Sequence, residues 1–427
     1  MHPRDELVLT LTRIYNYRMT TTSGGNLSIL DENGDMWITP SRIDKGCLKP
    51  SDIVCVKKDG TIVGPHKPSS EYPFHRAIYN IRPDIKAVIH AHPVNLVAFS
   101  CAGKVPNTNI TPKIGALNGK VAFAPYGIPG SEDLGAKIAA EFAKGANDVI
   151  LESHGVCCGG TSLQHTFTRF ETVELACRAE IKANMLGKPN YLTDEQVKEL
   201  DEASNAPFPT FAYKASEMTI AEKHLRNEVC KFAARGYRQG LMTVASGTIS
   251  VRLDKNSFLI TPKMYDRADL LPEDVVLVRD GKCEAGKVPA EEVLAHQAIY
   301  AAHPEIGSVI NSLPTNSLAF SCCRETIDTR TLPECYIFLR EVGMLPYDVL
   351  YKDPEAVAKQ LSPRHPATVI ANNGVMVVGD DLLATFDRLE VLECSAESIM
   401  NCIPIGGHIP MGEQVTKDII KAFNLAE

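Results

Sequence analysis

The chain has 427 residues, 44% of them hydrophobic and 22% charged, and a net charge of −8. That length exceeds what one hydrophobic core commonly holds, so two domains are expected, and the composition is that of an ordinary folded protein rather than a disordered or membrane-spanning one. The acidic balance, with no Lys/Arg-rich block, excludes a nucleic-acid footprint, and no run of about 18 apolar residues offers a membrane span.

The first residues, Met1-His-Pro-Arg-Asp-Glu6, lack a basic segment followed by an apolar run, so a cytoplasmic location with no membrane partner is the default expectation. Thirteen cysteines are scattered without a C-x-x-C pair, which argues against a disulfide framework and a zinc ribbon. They read as mostly reduced core residues, and the pairs Cys157-Cys158 and Cys322-Cys323 as small apolar fillers in buried strands.

In chain order, a leading helix precedes strand-like runs separated by the turn signals Asp31-Glu-Asn-Gly34 and Lys58-Asp-Gly60, which predict antiparallel hairpins. Amphipathic stretches at Tyr72 to Asn80, Ser131 to Lys144 and Leu163 to Leu186 predict helices against that sheet. The fold class is therefore α/β, with a mixed or antiparallel central sheet flanked by helices. Thr193-Asp-Glu-Gln196 is a capping box opening a short charged helix, and Asn205-Ala-Pro-Phe-Pro-Thr-Phe211 reads as an extended connector. A further helix is expected from Ile220 to Gly236.

Residues 10 to 185 can be laid over residues 230 to 400. Ser23-Gly-Gly-Asn-Leu-Ser28 answers to Ala245-Ser-Gly-Thr-Ile-Ser250, and Trp37-Ile-Thr-Pro40 to Leu259-Ile-Thr-Pro262, both at an offset of 222. Glu71 to Tyr79 matches Glu292 to Tyr300, and Ile89-His-Ala-His92 matches Ile310-Asn-Ser-Leu313, at 221; Ser153-His-Gly-Val156 meets Asn372-Asn-Gly-Val375 at 219. Such a period is far beyond that of stacking repeats, so the chain reads as two copies of one domain. The expected domains are residues 1–190 and 216–427, joined by a linker over 191–215.

The sharpest local signal is Val88-Ile-His90-Ala-His92, because side chains two apart on a strand share a face. Two histidines can share a face without function, so a third ligand is needed. Asp148-Val-Ile-Leu-Glu-Ser-His154-Gly155 supplies it, as a buried strand ending on a histidine with a glycine for a tight exit. Three neutral imidazoles with one open position suit a catalytic divalent metal, typically zinc, acting as a Lewis acid.

Glu71 at the start of a helix suits either a solvated capping carboxylate or an acid/base beside the metal. Ser69 and Ser70 add donors at that helix N-terminus, where anions are favoured. Gly24-Gly25-Asn26 offers a flexible turn and an amide, and His75 reads as a packing histidine because its counterpart His296 persists where the other histidines are lost.

Taken in order, Gly25-Asn26-Leu-Ser28, Thr39-Pro-Ser41, Ser69-Ser70-Glu71, His90-Ala-His92-Pro and His154-Gly155 resemble the class II aldolase/adducin family. The resemblance covers most of both halves and implies two tandem domains of that fold. It implies that His90, His92 and His154 bind zinc, or manganese or cobalt, that Glu71 is the acid/base, and that Gly25, Asn26, Ser41, Ser69 and Ser70 bind a substrate phosphate. Glutamate at position 71 resembles the aldolase branch, since the epimerases place aspartate there.

Two departures stand out: Arg42 replaces a glycine after the phosphate-binding hydroxyl and would fill the pocket or meet an extra carboxylate, and the stretch from Asn107 to Lys113 lacks the tyrosine that aldolases contribute from a neighbouring subunit. In the second half the three histidines become Asn311, Leu313 and Asn373, and Ser69-Ser70 becomes Ala290-Glu291. The expectation is a pseudo-enzyme copy without metal. The family's four-fold rings imply a homo-oligomer, either a dimer of pseudo-four-fold form or a tetramer. The implied activity is retro-aldol cleavage of a phosphorylated ketose to dihydroxyacetone phosphate and an aldehyde. The alternatives are decarboxylation of a phosphorylated 3-oxo sugar acid and a non-catalytic adducin-like scaffold.

Overall fold

The computed structural model describes residues 1–425. It forms two compact units, Met1–Thr108 with Leu117–Arg178, and Asn109–Ala116 with the residues from Ala179 onward.

The first unit opens with α1 (Pro3–Asn16), followed by β1 (Asn26–Leu30), β2 (Met36–Ile38), β3 (Val54–Val56) and β4 (Ile62–Val63). The β1–β2 and β3–β4 pairs are antiparallel hairpins. Gly34 and Gly60 occupy the left-handed conformation at their turns, which a side chain would disfavour. The chain continues through α2 (Tyr72–Ile81), β5 (Ala87–Ala91), α3 (Val94–Cys101), α4 (Pro112–Asn118), β6 (Ala122–Ala124), α5 (Glu132–Ala143), β7 (Asp148–Leu151), β8 (Gly155–Gly160) and α6 (Leu163–Leu186), of which residues 112–116 of α4 and 179–186 of α6 count with the second unit.

The eight strands form one mixed sheet in the order β4-β3-β2-β1-β5-β8-β7-β6, antiparallel except for the β6–β7 pair. Ser131 caps α5 by accepting from the Leu134 N–H, as its position before an amphipathic run predicts. One face of the sheet is closed by Phe74, Ile78, Ile138 and Phe142 of α2 and α5, packed with Val88, Val149 and Cys157. At the far edge, the buried Asp148 carboxylate accepts from Arg169 at 2.7 Å and from Asn118 at 3.0 Å, tying β7 to α6.

In the second unit, α7 (Asp194–Ser204) begins at the predicted capping box, with Thr193 and Gln196 reciprocally bonded. The connector after it carries a two-residue strand, β9 (Thr210–Phe211), before α8 (Ile220–Arg238). The repeat then returns as β10 (Thr248–Arg252), β11 (Ser257–Ile260), β12 (Val276–Arg279), β13 (Lys282–Glu284), α9 (Val293–Ala302), β14 (Ser308–Ser312), α10 (Thr315–Cys323) and α11 (Pro333–Leu339). With β9 and three later strands it forms a nine-stranded sheet. Both copies cap the helix after their fifth strand with a glutamate, buried in the first and half-buried in the second: Glu174 accepts from Asn95 and the Leu96 N–H, Glu393 from Asn316 and Ser317.

All thirteen cysteines are free thiols. Cys157 and Cys158 lie buried in β8, as predicted, but Cys322 and Cys323 end helix α10 rather than filling a strand. No helix among the described residues is long and apolar enough to cross a membrane.

Candidate active site

Strand β5 is buried along its whole length between β1 and β8, so a histidine within it needs a hydrogen-bond partner. His90 is fully buried, and its Nδ1 donates to the Val156 carbonyl of β8 at 2.9 Å. A carbonyl only accepts, so Nδ1 carries the proton and Nε2 presents a lone pair. His92, one residue past the strand, places its Nε2 3.1 Å from His90 Nε2.

His154 lies in the tight turn between β7 and β8. Its N–H donates to the Leu151 carbonyl at 3.0 Å and to Ser100 Oγ at 2.9 Å, while Ser100 donates to the same carbonyl at 2.6 Å. The left-handed residue of this turn is Ser153, with φ 54°. The sequence assigned the tight exit to Gly155, but that glycine serves close packing: a Cβ there would stand 2.6 Å from the Ala91 carbonyl oxygen and 2.7 Å from His92 Cδ2. The candidate ligand atoms of His90, His92 and His154 all lie within 4.8 Å of one another, and no second such group occurs among the described residues.

Glu71 precedes α2 without capping it. Its carboxylate turns inward, accepting from Asn26 Nδ2 at Oε2 (2.7 Å), with that oxygen 3.4 Å from His90 Nε2 and Oε1 3.7 Å from His154 Nε2. A carboxylate only accepts, which fixes the amide orientation and turns Asn26 Oδ1 toward His75 Nε2 at 2.5 Å. His75 therefore donates through Nε2 and accepts at Nδ1 from Ser28 Oγ at 2.7 Å, and Ser28 in turn meets the Tyr79 hydroxyl at 2.7 Å. This buried chain from Tyr79 to Glu71 holds the carboxylate in place. Ser28, Tyr79 and Ser100 were not singled out as site residues in the sequence. The recurrence of the first two as Ser250 and Tyr300 was the signal available.

Burial lowers His90 and His92 to about 3, with the neighbouring imidazoles adding to the effect. Burial likewise lowers His154, against the pull of Glu71. The three rings are thus neutral, the form in which imidazole binds a cation. Glu71 Oε1 and His154 Nδ1 are buried without a hydrogen-bond partner. Converging lone pairs, a carboxylate and orphaned acceptors form a donor set that fits a divalent ion.

Of the remaining candidates, Gly25 and Ser69 adjoin this cluster. Gly25 is left-handed, and a Cβ on it would stand 2.8 Å from the His90 carbonyl oxygen. A bridge between Pro40 and Pro68 joins the loops of Ser41 and Ser69, and Ser69 Oγ accepts from the Glu71 N–H at 3.3 Å. Ser69 is buried, Ser41 half-buried and Ser70 exposed. Arg42 is also exposed, with φ 58°. A left-handed backbone explains why glycine suits the position, and the arginine points to solvent rather than filling the pocket.

The second copy keeps the scaffold of this arrangement. Thr248 donates to Glu292 at 2.7 Å, and Ser250 meets His296 and Tyr300 at 2.7 and 2.8 Å. Threonine lacks the amide carbonyl of Asn26, and His296 Nε2 is left buried without a partner. Asn311 donates to the Val375 carbonyl at 3.2 Å, taking over the bond that His90 makes to Val156.

Comparison with known proteins matches residues 5–181 and 227–400 to the family described as "Class II Aldolase and Adducin N-terminal domain". The chain is similar to a 3-oxo-tetronate 4-phosphate decarboxylase of Haemophilus influenzae, 34% identical over 46% of this chain and 95% of that protein. It is 30% identical to a 5-deoxy-D-ribulose 1-phosphate aldolase of Bacillus thuringiensis over 46% of this chain and 92% of the relative. A solved L-fuculose 1-phosphate aldolase is 33% identical, over 47% of this chain and 94% of its own, with a TM-score of 0.43.

Proposed function

The chain belongs to the class II aldolase and adducin family, and on that premise we propose that its first copy cleaves a phosphorylated ketose to dihydroxyacetone phosphate and an aldehyde. The observation that carries this reading is the position of Glu71, whose carboxylate lies against three neutral imidazoles with Oε1 free of any hydrogen bond. His90, His92 and His154 would hold the metal, zinc in this reading, with manganese or cobalt as the other ions such a donor set accepts. A divalent ion there supplies Lewis-acid polarisation of a substrate oxygen, so no Schiff-base lysine is required.

The chain's own groups do the rest. In cleavage the substrate hydroxyl loses its proton as the carbon–carbon bond breaks, and Glu71 delivers a proton to the carbon that takes the bonding pair, taking it back in the condensation direction; the role needs an unbonded carboxylate oxygen on a fixed side chain. Asn26 fixes the other oxygen. Gly25, Asn26, Ser41, Ser69 and Ser70 bind the substrate phosphate, and its position relative to Glu71 sets which carbon reacts. The second copy, without the imidazoles, is a non-catalytic domain. The assembly is a homo-oligomer, a dimer or tetramer, whose mass in solution is open to direct measurement.

A second reading has its own support. The decarboxylase relative and the absence of tyrosine between Asn107 and Lys113 favour decarboxylation of a phosphorylated 3-oxo sugar acid at the same site. Incubation of metal-loaded protein with dihydroxyacetone phosphate and a panel of aldehydes separates the two. Condensation products support the aldolase; carbon dioxide release from the 3-oxo acid phosphate without condensation supports the decarboxylase. Neither reaction with zinc, manganese or cobalt would leave the scaffold reading.

A further inference from the structure

The second copy differs from the first in charge as well as in its missing imidazoles. The positions of Ser41, Ser69 and Ser70 are taken by Lys263, Ala290 and Glu291. The Glu291 carboxylate lies 3.5 Å from Lys113 Nζ and 3.7 Å from Lys263 Nζ, with side chains 8%, 18% and 16% exposed respectively. All three residues belong to the second compact unit. Lys263 is held by the Ser204 carbonyl at 2.8 Å and Asn205 Oδ1 at 2.7 Å, so its ammonium group is positioned rather than free to swing. Arg267, the counterpart of Lys45, is buried nearby in sequence, fixed on the Gly247 and Tyr265 carbonyls at 2.6 and 2.7 Å.

Either replacement alone would be unfavourable. A glutamate at position 291 without the lysines would be a poorly solvated anion, and the lysines without it would be two neighbouring cations with nothing between them. A carboxylate withdrawn from water between ammonium groups satisfies the same chemistry as a phosphate oxygen in a cation-lined cradle.

We propose that Glu291 is a tethered ligand: its carboxylate occupies, in the second copy, the place that a substrate phosphate takes in the first. This rests on the reading of Ser41, Ser69 and Ser70 as the first copy's phosphate cradle. The second copy is then closed to sugar phosphates by its own side chain, while the cations of an oxyanion site remain assembled around it. Glu291 also borders a cavity of about 220 Å³ with Phe208, Gln297 and Tyr351, so truncating it enlarges a space that already exists.

Inorganic phosphate is the probe, with calorimetric titration and thermal unfolding of the full chain as readouts. Glu291→Ser and Glu291→Ala should each bind one more phosphate per chain than the unsubstituted protein, and the Glu291→Ser/Lys263→Ala double variant should return to the original number. Phosphate should also raise the Tm of both single variants more than that of the parent, and a variant unfolded without phosphate should fold with it. Equal phosphate numbers and equal Tm increments in the parent and both single variants would overturn the proposal, as would a variant that phosphate does not rescue. Ser69→Ala/Ser70→Ala tests the first-copy reading separately: phosphate binding unaltered by it defeats that reading, whatever Glu291 does.

Discussion

Asn26 and Glu71, forty-five residues apart, are joined by a buried 2.7 Å hydrogen bond from the amide nitrogen to the carboxylate. The other end of the amide is held by His75, so the bond ends a chain that starts at Tyr79 in the core. Hydrogen bonds to a charged group contribute about 1.5–3 kcal/mol. Asn26→Ala should therefore lower kcat/KM by ~10–100-fold. Steady-state kinetics with metal content measured in parallel checks this, since the loss should appear with the metal still bound.

Glu71→Gln keeps the shape and the Asn26 contact but removes the base. The expected loss in kcat is ~10²–10⁴-fold, the usual contribution of a positioned acid/base. Glu292→Gln, at the matching place in the second copy, should leave turnover unchanged. A comparable loss in both variants would mean that both copies are active.

Gly155→Ala brings a Cβ to 2.6 Å from the Ala91 carbonyl oxygen and 2.7 Å from His92 Cδ2, so His92 must move. Overpacking of this kind costs about 1–3 kcal/mol. The variant should unfold at lower urea and bind metal at least ~10-fold more weakly, the range seen when ligand orientation is lost. Stability loss with unaltered metal affinity would show that His92 is not a ligand.

Much of this site was legible before any coordinates. The H-x-H spacing on a strand and the histidine after a second buried run identify three rings that do converge, because strand alternation and a short hairpin leave little freedom. What could not be read is the direction of long-range polar contacts. Glu71 suited a helix cap equally well until Asn26 was seen to turn it inward. Arg42 suggested a filled pocket or a partner for an extra carboxylate, and it stands exposed on a left-handed backbone. Lys113 and Glu291 lie far apart in sequence with no local pattern to link them, and only the fold brings them within 3.5 Å.

Lys45 provides a pH test away from the imidazoles. It is 2% exposed, its Nζ donates to the Pro40 carbonyl at 2.7 Å, and burial lowers its pKa to about 8. An unfolded lysine titrates near roughly 10.4. Between those values the unfolded chain binds the extra proton, so this group's contribution to stability rises with pH from about 8 to about 10.4. Below about 8 both states are charged and the burial cost is present in full. Urea unfolding of the parent and Lys45→Met at about pH 7 and about pH 9.5 should show the parent gaining ~1–2 kcal/mol on the variant. Parallel behaviour at both pH values would rule out a depressed Lys45.

The most direct test of the account is the number of metal ions bound per chain. Elemental analysis of the protein after reconstitution with zinc and removal of excess should give one ion per chain, falling to none in His92→Ala, with cleavage activity lost alongside. Two ions per chain, or one that persists in His92→Ala, would contradict a single metal centre built from His90, His92 and His154.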